Sequence, residues 1–171
     1  MEKLSKKPDL VITDSQVFGV VDKLVPEDVL LTSFSILFAR YKGNLETLVK
    51  GVEGLDRLKD DSYVLISEGC THHRQCEDIG TVKMPKWIKD YTGKEINFDF
   101  TSGGEFPEDI SKYDLIVHCG GCMINQREMR YRLEHSNDCN VLITNYGMAI
   151  AKMHGILKRS LKPFKEMEKY L

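Results

Sequence analysis

The chain has 171 residues, of which 42% are apolar and 29% charged, and its formal net charge is −2. This composition is typical of a globular protein with a real core, and it gives no indication of a nucleic acid or an anionic membrane as partner. Because no apolar run reaches the roughly 18 residues of a membrane span and the start lacks a signal peptide, we expect a cytoplasmic protein whose five cysteines are reduced thiols or metal ligands.

Short apolar runs alternate with helical patterns in the first part of the chain. The predicted elements are a strand at 10–12, a helix at 16–24, a strand at 29–32, a mostly helical stretch at 35–55 interrupted near Gly43 and Asn44, and a strand at 63–66. Strands and helices that alternate in this order favour a parallel sheet with crossover helices.

The second part of the chain shows the same alternation of strands and helices. The predicted elements are a helix at 85–91, strands at 96–100 and 115–117, a helix at 126–133, a strand at 141–144, and helices at 146–157 and 162–170. We therefore predict an α/β protein of two small domains, residues 1–65 and 66–171, with mainly parallel sheets flanked by helices. The third strand is compatible with either domain.

Two cysteine-containing stretches each follow a predicted strand: SEGCTHH at 67–73 and HCGGC at 118–122. Sites in parallel α/β sheets gather at the carboxyl ends of the strands. If these two strands are neighbours, Cys70, Cys119 and Cys122 converge on one point. The glycines of the Cys-Gly-Gly-Cys loop permit tight turns and expose backbone N–H groups, which stabilise thiolates and the sulfides of an iron–sulfur cluster.

The residues are compatible with more than one bound group. Structural zinc takes four cysteine or histidine ligands, so three cysteines and one histidine satisfy it. A 4Fe–4S cluster prefers thiolates, and with three of them one iron carries a different or exchangeable ligand. Residues two apart in an extended segment point the same way, so Glu68, Cys70 and His72 share a face, whereas His118 faces away from Cys119. Glu68 and His72 are therefore better candidates for a fourth ligand than His118.

These residues carry a resemblance. Cys70-Thr-His72, followed after 45 residues by His118-Cys119-Gly-Gly-Cys122, resembles the cysteine–histidine signature of the iron–iron hydrogenase maturation GTPase family, HydF. Members of that family have a GTPase domain, a dimerisation domain and a cluster-binding domain. The chain has no GxxxxGK[ST] phosphate loop, so it resembles the last two domains without the GTPase, and we expect neither GTP binding nor enzyme activity from it.

The resemblance implies a 4Fe–4S cluster bound by Cys70, Cys119 and Cys122, with a variable fourth ligand, here Glu68, His72 or His118. It implies a scaffold and carrier for the di-iron subcluster of FeFe-hydrogenase. The expected partners are the hydrogenase and two radical-SAM maturases. It also implies a homodimer formed through residues 1–65, with the cluster in residues 66–171.

Two other functions stay open. One is a structural zinc-binding interaction domain. The other is a thiol oxidoreductase that uses Cys119 and Cys122, which is less favoured because it gives Cys70 no purpose. Cys76 and Cys139 are predicted not to be ligands. Arg74, Arg127 and Arg130 lie near the cysteine loops in sequence and are candidates to hold an anionic precursor, although solvated surface arginines explain them at least as well.

Overall fold

A computed structural model describes residues 6–71 and 78–170. Its strands are β1 (Leu10–Thr13), β2 (Leu30–Ser33), β3 (Tyr63–Ser67), β4 (Asn97–Thr101), β5 (Leu115–His118) and β6 (Leu142–Asn145). Its α-helices are α1 (Phe18–Leu24), α2 (Phe34–Lys42), α3 (Leu45–Gly51), α4 (Gly54–Arg57), α5 (Met84–Thr92), α6 (Gln126–Asp138), α7 (Tyr146–Met153) and α8 (Leu157–Leu161). Short 3-10 helices at Ser15–Val17 and Lys165–Tyr170 and a π-helical turn at Ile79–Lys83 complete the regular structure of this part of the chain.

The strands form two parallel sheets, which confirms the predicted α/β class. One contains β1 and β2, and the other has the order β4-β3-β5-β6. The third strand, which the sequence left open, therefore lies in the second sheet. Its central strands are apolar runs: Val64, Leu65 and Ile66 in β3 and the three residues Leu115 to Val117 in β5 are fully buried. Such runs are typical of parallel strands that are covered on both faces.

Polar residues make the turns from strand to helix at the carboxyl ends of the strands. Ser33 accepts a hydrogen bond from Ile36 N at the start of α2, and Asn145 accepts one from Met148 N at the start of α7. Asn125 caps α6 in the same way. Because these caps satisfy backbone N–H groups that have no partner inside the helix, they fix where each helix begins.

The two sheets are joined by helices. Helix α2 packs against α6 and α7, which contact β6 of the four-stranded sheet, and α8 returns to pack against β2 of the two-stranded sheet. The buried Arg159 of α8 donates hydrogen bonds to the carbonyls of Val25 and Pro26 and to the carboxylate of Asp22. The predicted helix over 146–157 is interrupted because Gly155 adopts a left-handed φ of 73°. Within the described residues, no helix is both long and apolar enough to cross a bilayer.

Gly51 of α3 lies directly against the backbone of β6. A Cβ atom added there would lie 1.8 Å from the carbonyl oxygen of Ile143, which is backbone and cannot move aside. Although alanine favours a helix by about 1 kcal/mol over glycine, we expect Gly51→Ala to lower the free energy of unfolding by about 2–3 kcal/mol, because overpacking outweighs propensity. Urea unfolding measures the change.

Gly104 is the matched control, since nothing lies within 4 Å of a Cβ atom added there. Gly104→Ala should leave the urea midpoint within error of the parent chain. A Gly51→Ala variant as stable as the Gly104→Ala variant would contradict the close packing of α3 on β6.

Candidate functional site

The two cysteine-containing stretches lie side by side. Strand β5 pairs with β3 in parallel, with Ser67 opposite His118, so the chain leaves both strands at the same edge of the sheet. The pairing continues one residue further, where Cys119 N donates to Ser67 O at 2.8 Å. The three cysteines were expected to converge if their two strands are neighbours. The structure meets this condition.

A cavity of about 720 Å³ opens at this edge. Cys70, Cys119, Cys122 and the carboxyl side chain of Glu68 all line it. Cys122 is exposed, whereas Cys70 and Cys119 are half-buried. The apolar side chains of Phe34, Phe38 and Met123 form part of the wall. The site thus combines three thiols and a carboxylate with an apolar rim.

The Cys119 sulfur is held by backbone donors from both loops. Gly69 N donates to Cys119 Sγ at 3.1 Å and Gly121 N at 3.4 Å. Gly121 has a left-handed φ of 67°, a conformation that glycine adopts without strain. Burial raises the pKa of the Cys119 thiol, the two N–H groups oppose this, and the charges of Cys70 and Glu68 add to the rise. A bound metal reverses this balance, because a coordinated thiol loses its proton.

Glu68 lies in the cavity wall, only 4% exposed. The Tyr146 hydroxyl donates to its Oε1 at 3.4 Å. Burial, followed by the charge of Glu68, raises the pKa of Tyr146 strongly, so the phenol keeps its proton. Gly80 closes over this pair, since a Cβ atom there would lie 2.6 Å from Glu68 Oε1. His72, the alternative fourth ligand, lies outside the described residues, as do Cys76 and Arg74.

His118 is fully buried at the end of β5. Burial lowers its pKa to about 4, with the charge of Arg132 adding to the effect. The neutral ring donates from Nδ1 to the Cys119 carbonyl at 2.8 Å and accepts from Arg132 Nη1 at Nε2, at 3.0 Å. Both ring nitrogens therefore already have protein partners, and the side chain supports the backbone of Cys119.

Arg132 is a site residue that the sequence reasoning missed. Its side chain is fully buried and donates to Glu128 Oε1 at 2.8 Å, to Ser67 Oγ at 3.3 Å and to the Gly103 carbonyl at 2.8 Å, besides His118. The arginines of this helix that the sequence proposed for the site were Arg127 and Arg130, and both are exposed. The position of Arg132 in the helix could have indicated its burial, because it falls on the apolar stripe of α6, next to the buried Leu133.

Among residues 6–71 and 78–170, no three or more His, Cys, Asp and Glu side chains are grouped closely enough to hold a single metal ion. Cys139 lies away from the cavity, with its sulfur 4.0 Å from His135 Nδ1.

The fold and the site define an α/β protein with a thiol-lined cavity at the carboxyl edge of a parallel sheet. Residues 46–163 match the family model of the hydrogen maturase F tetramerization domain, and residues 1–43 match that of the hydrogen maturase F dimerization domain. The chain therefore belongs to the hydrogen maturase F (HydF) family.

The matches bear on several expectations. Both domains are those of a hydrogenase maturase, and both are named for self-association. Neither is the GTPase domain. The name of the second domain points to tetramers, whereas the sequence predicted a dimer. The two models meet between residues 43 and 46, whereas the predicted division at residue 65 stays a prediction. No curated protein matches the chain.

Proposed function

We propose that the chain binds a 4Fe–4S cluster through Cys70, Cys119 and Cys122 and serves as a scaffold and carrier in the assembly of the di-iron subcluster of FeFe-hydrogenase. The observation that carries this proposal is that all three cysteines line one cavity at the ends of two neighbouring strands. The cavity is large enough for more than one ion, at about 720 Å³. The membership of the chain in a hydrogenase maturase family supplies the biological setting.

The surroundings of the sulfurs favour a cluster. Backbone N–H groups directed at a thiolate sulfur, such as those of Gly69 and Gly121 at Cys119, stabilise its negative charge and tune the cluster. The side chains of Phe34, Phe38 and Met123 give the cavity an apolar rim. When bound, the cluster would supply an iron with an exchangeable coordination position, and the protein would hold the other three irons through thiolates.

The structural zinc domain is the second candidate. Zinc needs four ligands directed at one point, and the described thiols are not grouped around a single point. A cluster binds each thiolate at a separate corner, so the sulfurs that hold it stand further apart. Metal analysis after reconstitution decides between the two candidates.

The fourth position is proposed to be labile, with Glu68, His72 or His118 as its ligand. The two existing partners of His118 weigh against it. Glu68 has a carboxylate in the cavity wall, and an oxygen ligand on iron is displaced more easily than a thiolate. Three firm ligands would then retain the cluster while the fourth position accepts a precursor.

Reconstitution without oxygen tests the cofactor. The chain is incubated with iron and sulfide, desalted, and analysed for iron, acid-labile sulfide and zinc. About four irons and four sulfides per chain, with a paramagnetic signal after reduction, support the cluster. Stoichiometric zinc without sulfide, and unfolding of the site when zinc is removed, would establish the zinc domain instead.

Glu68→Gln tests the labile ligand. Glutamine retains the shape of the side chain and can accept the Tyr146 hydrogen bond, but it is a weaker ligand for iron. We expect wild-type iron and sulfide contents, a changed electron paramagnetic resonance spectrum of the reduced cluster, and faster loss of iron to a chelator.

Glu105→Gln, at an exposed loop position, is the control and should change none of these properties. A Glu68→Gln spectrum identical to that of the control would exclude Glu68 as the fourth ligand. Loss of the whole cluster would show that Glu68 is a firm ligand, contrary to the proposed exchange.

The carrier role implies partners. The proposed partners are immature FeFe-hydrogenase, the radical-SAM maturases and further copies of this chain, and the proposed compartment is the cytoplasm. The chain itself is proposed to perform no catalysis and to bind no GTP. Delivery is tested by adding the chain, loaded with a synthetic di-iron precursor, to hydrogenase that lacks its subcluster, and measuring hydrogen production against the Cys119→Ala variant.

A further inference from the structure

Lys42, the last residue of α2, contacts the loop that carries Cys122. Its ammonium group donates to the carbonyl oxygens of Gly121 at 3.0 Å, Cys122 at 2.7 Å and Ile124 at 2.8 Å. An ammonium group has three N–H donors, so the three carbonyls of one loop match its full capacity. Lys42 Nζ also lies 5.1 Å from the centre of the Phe38 ring, at the rim of the cavity.

The loop depends on such contacts. Residues 119–125 form neither helix nor strand, so their carbonyls need partners outside a regular ladder. The rest of the loop also follows α2: a Cβ atom on Gly120 would lie 3.0 Å from Ser35 Oγ, and Gln126 Nε2 donates to the Tyr41 carbonyl at 3.3 Å. The loop is therefore laid along α2 from its first turn to its last residue.

This contact joins the two family segments. Lys42 belongs to the stretch that matches the dimerization domain, and Cys122 to the stretch that matches the tetramerization domain. Cys122 is also the exposed cysteine of the three that line the cavity. Without a tether, the glycines before it would let this thiol leave the cavity wall.

We propose that Lys42 is a positioning residue that holds the Cys122 loop in its cluster-binding conformation, so that retention of the cluster depends on the dimerization segment. The cluster part of this inference rests on the proposed function. Preorganisation of a ligand loop strengthens binding because the entropy of ordering is lost before the ligand arrives. Lys42 supplies that order with charge-assisted hydrogen bonds, which are stronger than neutral ones.

Lys42→Met is the main test, because methionine retains most of the apolar stem and removes all three donors. Hydrogen exchange of the amides at 119–125 is measured in the metal-free protein. We expect exchange about tenfold faster or more, the factor that corresponds to the loss of one charge-assisted hydrogen bond. Lys162→Met, at an exposed position beyond α8, is the control and should leave the exchange of this loop unchanged.

The reconstituted protein gives the second measurement. The half-time of iron loss to a chelator should shorten by about the same tenfold factor in Lys42→Met, with the three cysteines intact. Lys42→Arg guards against a folding defect, because it keeps the charge but its planar fork does not converge on three carbonyls. It should fold, with exchange and iron loss between those of the parent and Lys42→Met.

The outcomes separate the two proposals. If Lys42→Met and Lys42→Arg both exchange and release iron as the parent does, the positioning role is overturned. If Lys42→Met does not fold, Lys42→Arg alone decides by the same two measurements. If the parent chain takes up no cluster, the proposed function fails, while hydrogen exchange in the metal-free protein still decides whether Lys42 orders the loop.

Discussion

Alanine at Cys70, Cys119 or Cys122 is expected to abolish stable cluster binding in each case. The three sulfurs line one cavity, and removal of any one leaves two thiolates and a weak fourth ligand. Two thiolates would bind only two of the four irons, so chelators and oxygen reach the others. Iron and sulfide per chain, measured after anaerobic reconstitution and desalting, should fall from about four to near zero.

Cys139→Ala is the matched control. Cys139 is half-buried and lies by His135, away from the cavity. The control should keep the iron content and spectrum of the parent chain. Full iron and sulfide in any of the three cavity variants would remove that cysteine from the ligand set and with it the proposed arrangement.

Replacement of Arg132 by methionine is expected to lower the stability of the fold. The fully buried guanidinium satisfies Ser67, His118 and the Gly103 carbonyl, and it pairs with Glu128. Ser67 keeps its hydrogen bond from Thr101, and the partly exposed Glu128 can be solvated. The buried His118 ring and the Gly103 carbonyl, however, lose their donor, which costs about 1–3 kcal/mol each. We expect the urea midpoint of the metal-free protein to fall accordingly.

Arg130→Met, two residues earlier on the same helix and exposed, controls for loss of an arginine from α6. It should change the free energy of unfolding by less than about 0.5 kcal/mol. Equal stability of the two variants would mean that the network around His118 contributes nothing, and that Cys119 is positioned by the strand alone.

Local patterns in the sequence predicted most of the fold. Every strand of the structure falls within one residue of a predicted one at each end, because apolar runs bounded by polar caps are short-range signals. The π-helical turn at Ile79–Lys83 was not predicted. Helix α6 extends to Asp138, five residues beyond the prediction, and carries polar residues there. Its continuation is decided by packing rather than by hydrophobic pattern.

The site was predictable only in part. The sequence predicted that the three thiols meet if their two strands are neighbours, since ends of parallel strands meet at one edge, and the structure supplies that pairing. Arg132 and Lys42 were not predictable in the same way. Arg132 contacts Ser67 across 65 residues of sequence, and Lys42 contacts Gly121 across 79. No local pattern records a partner that tertiary structure alone brings near.

The way the two loops are supported has a consequence for biogenesis. Strands β3 and β5, which present the thiols, are secured by a fully buried apolar interior rather than by the sulfurs. The polypeptide is thus expected to reach its native form before any iron arrives, the reverse of a zinc finger, in which metal uptake drives folding. If the proposed cluster is bound, a cell deprived of iron would accumulate the folded chain with its cluster site unfilled.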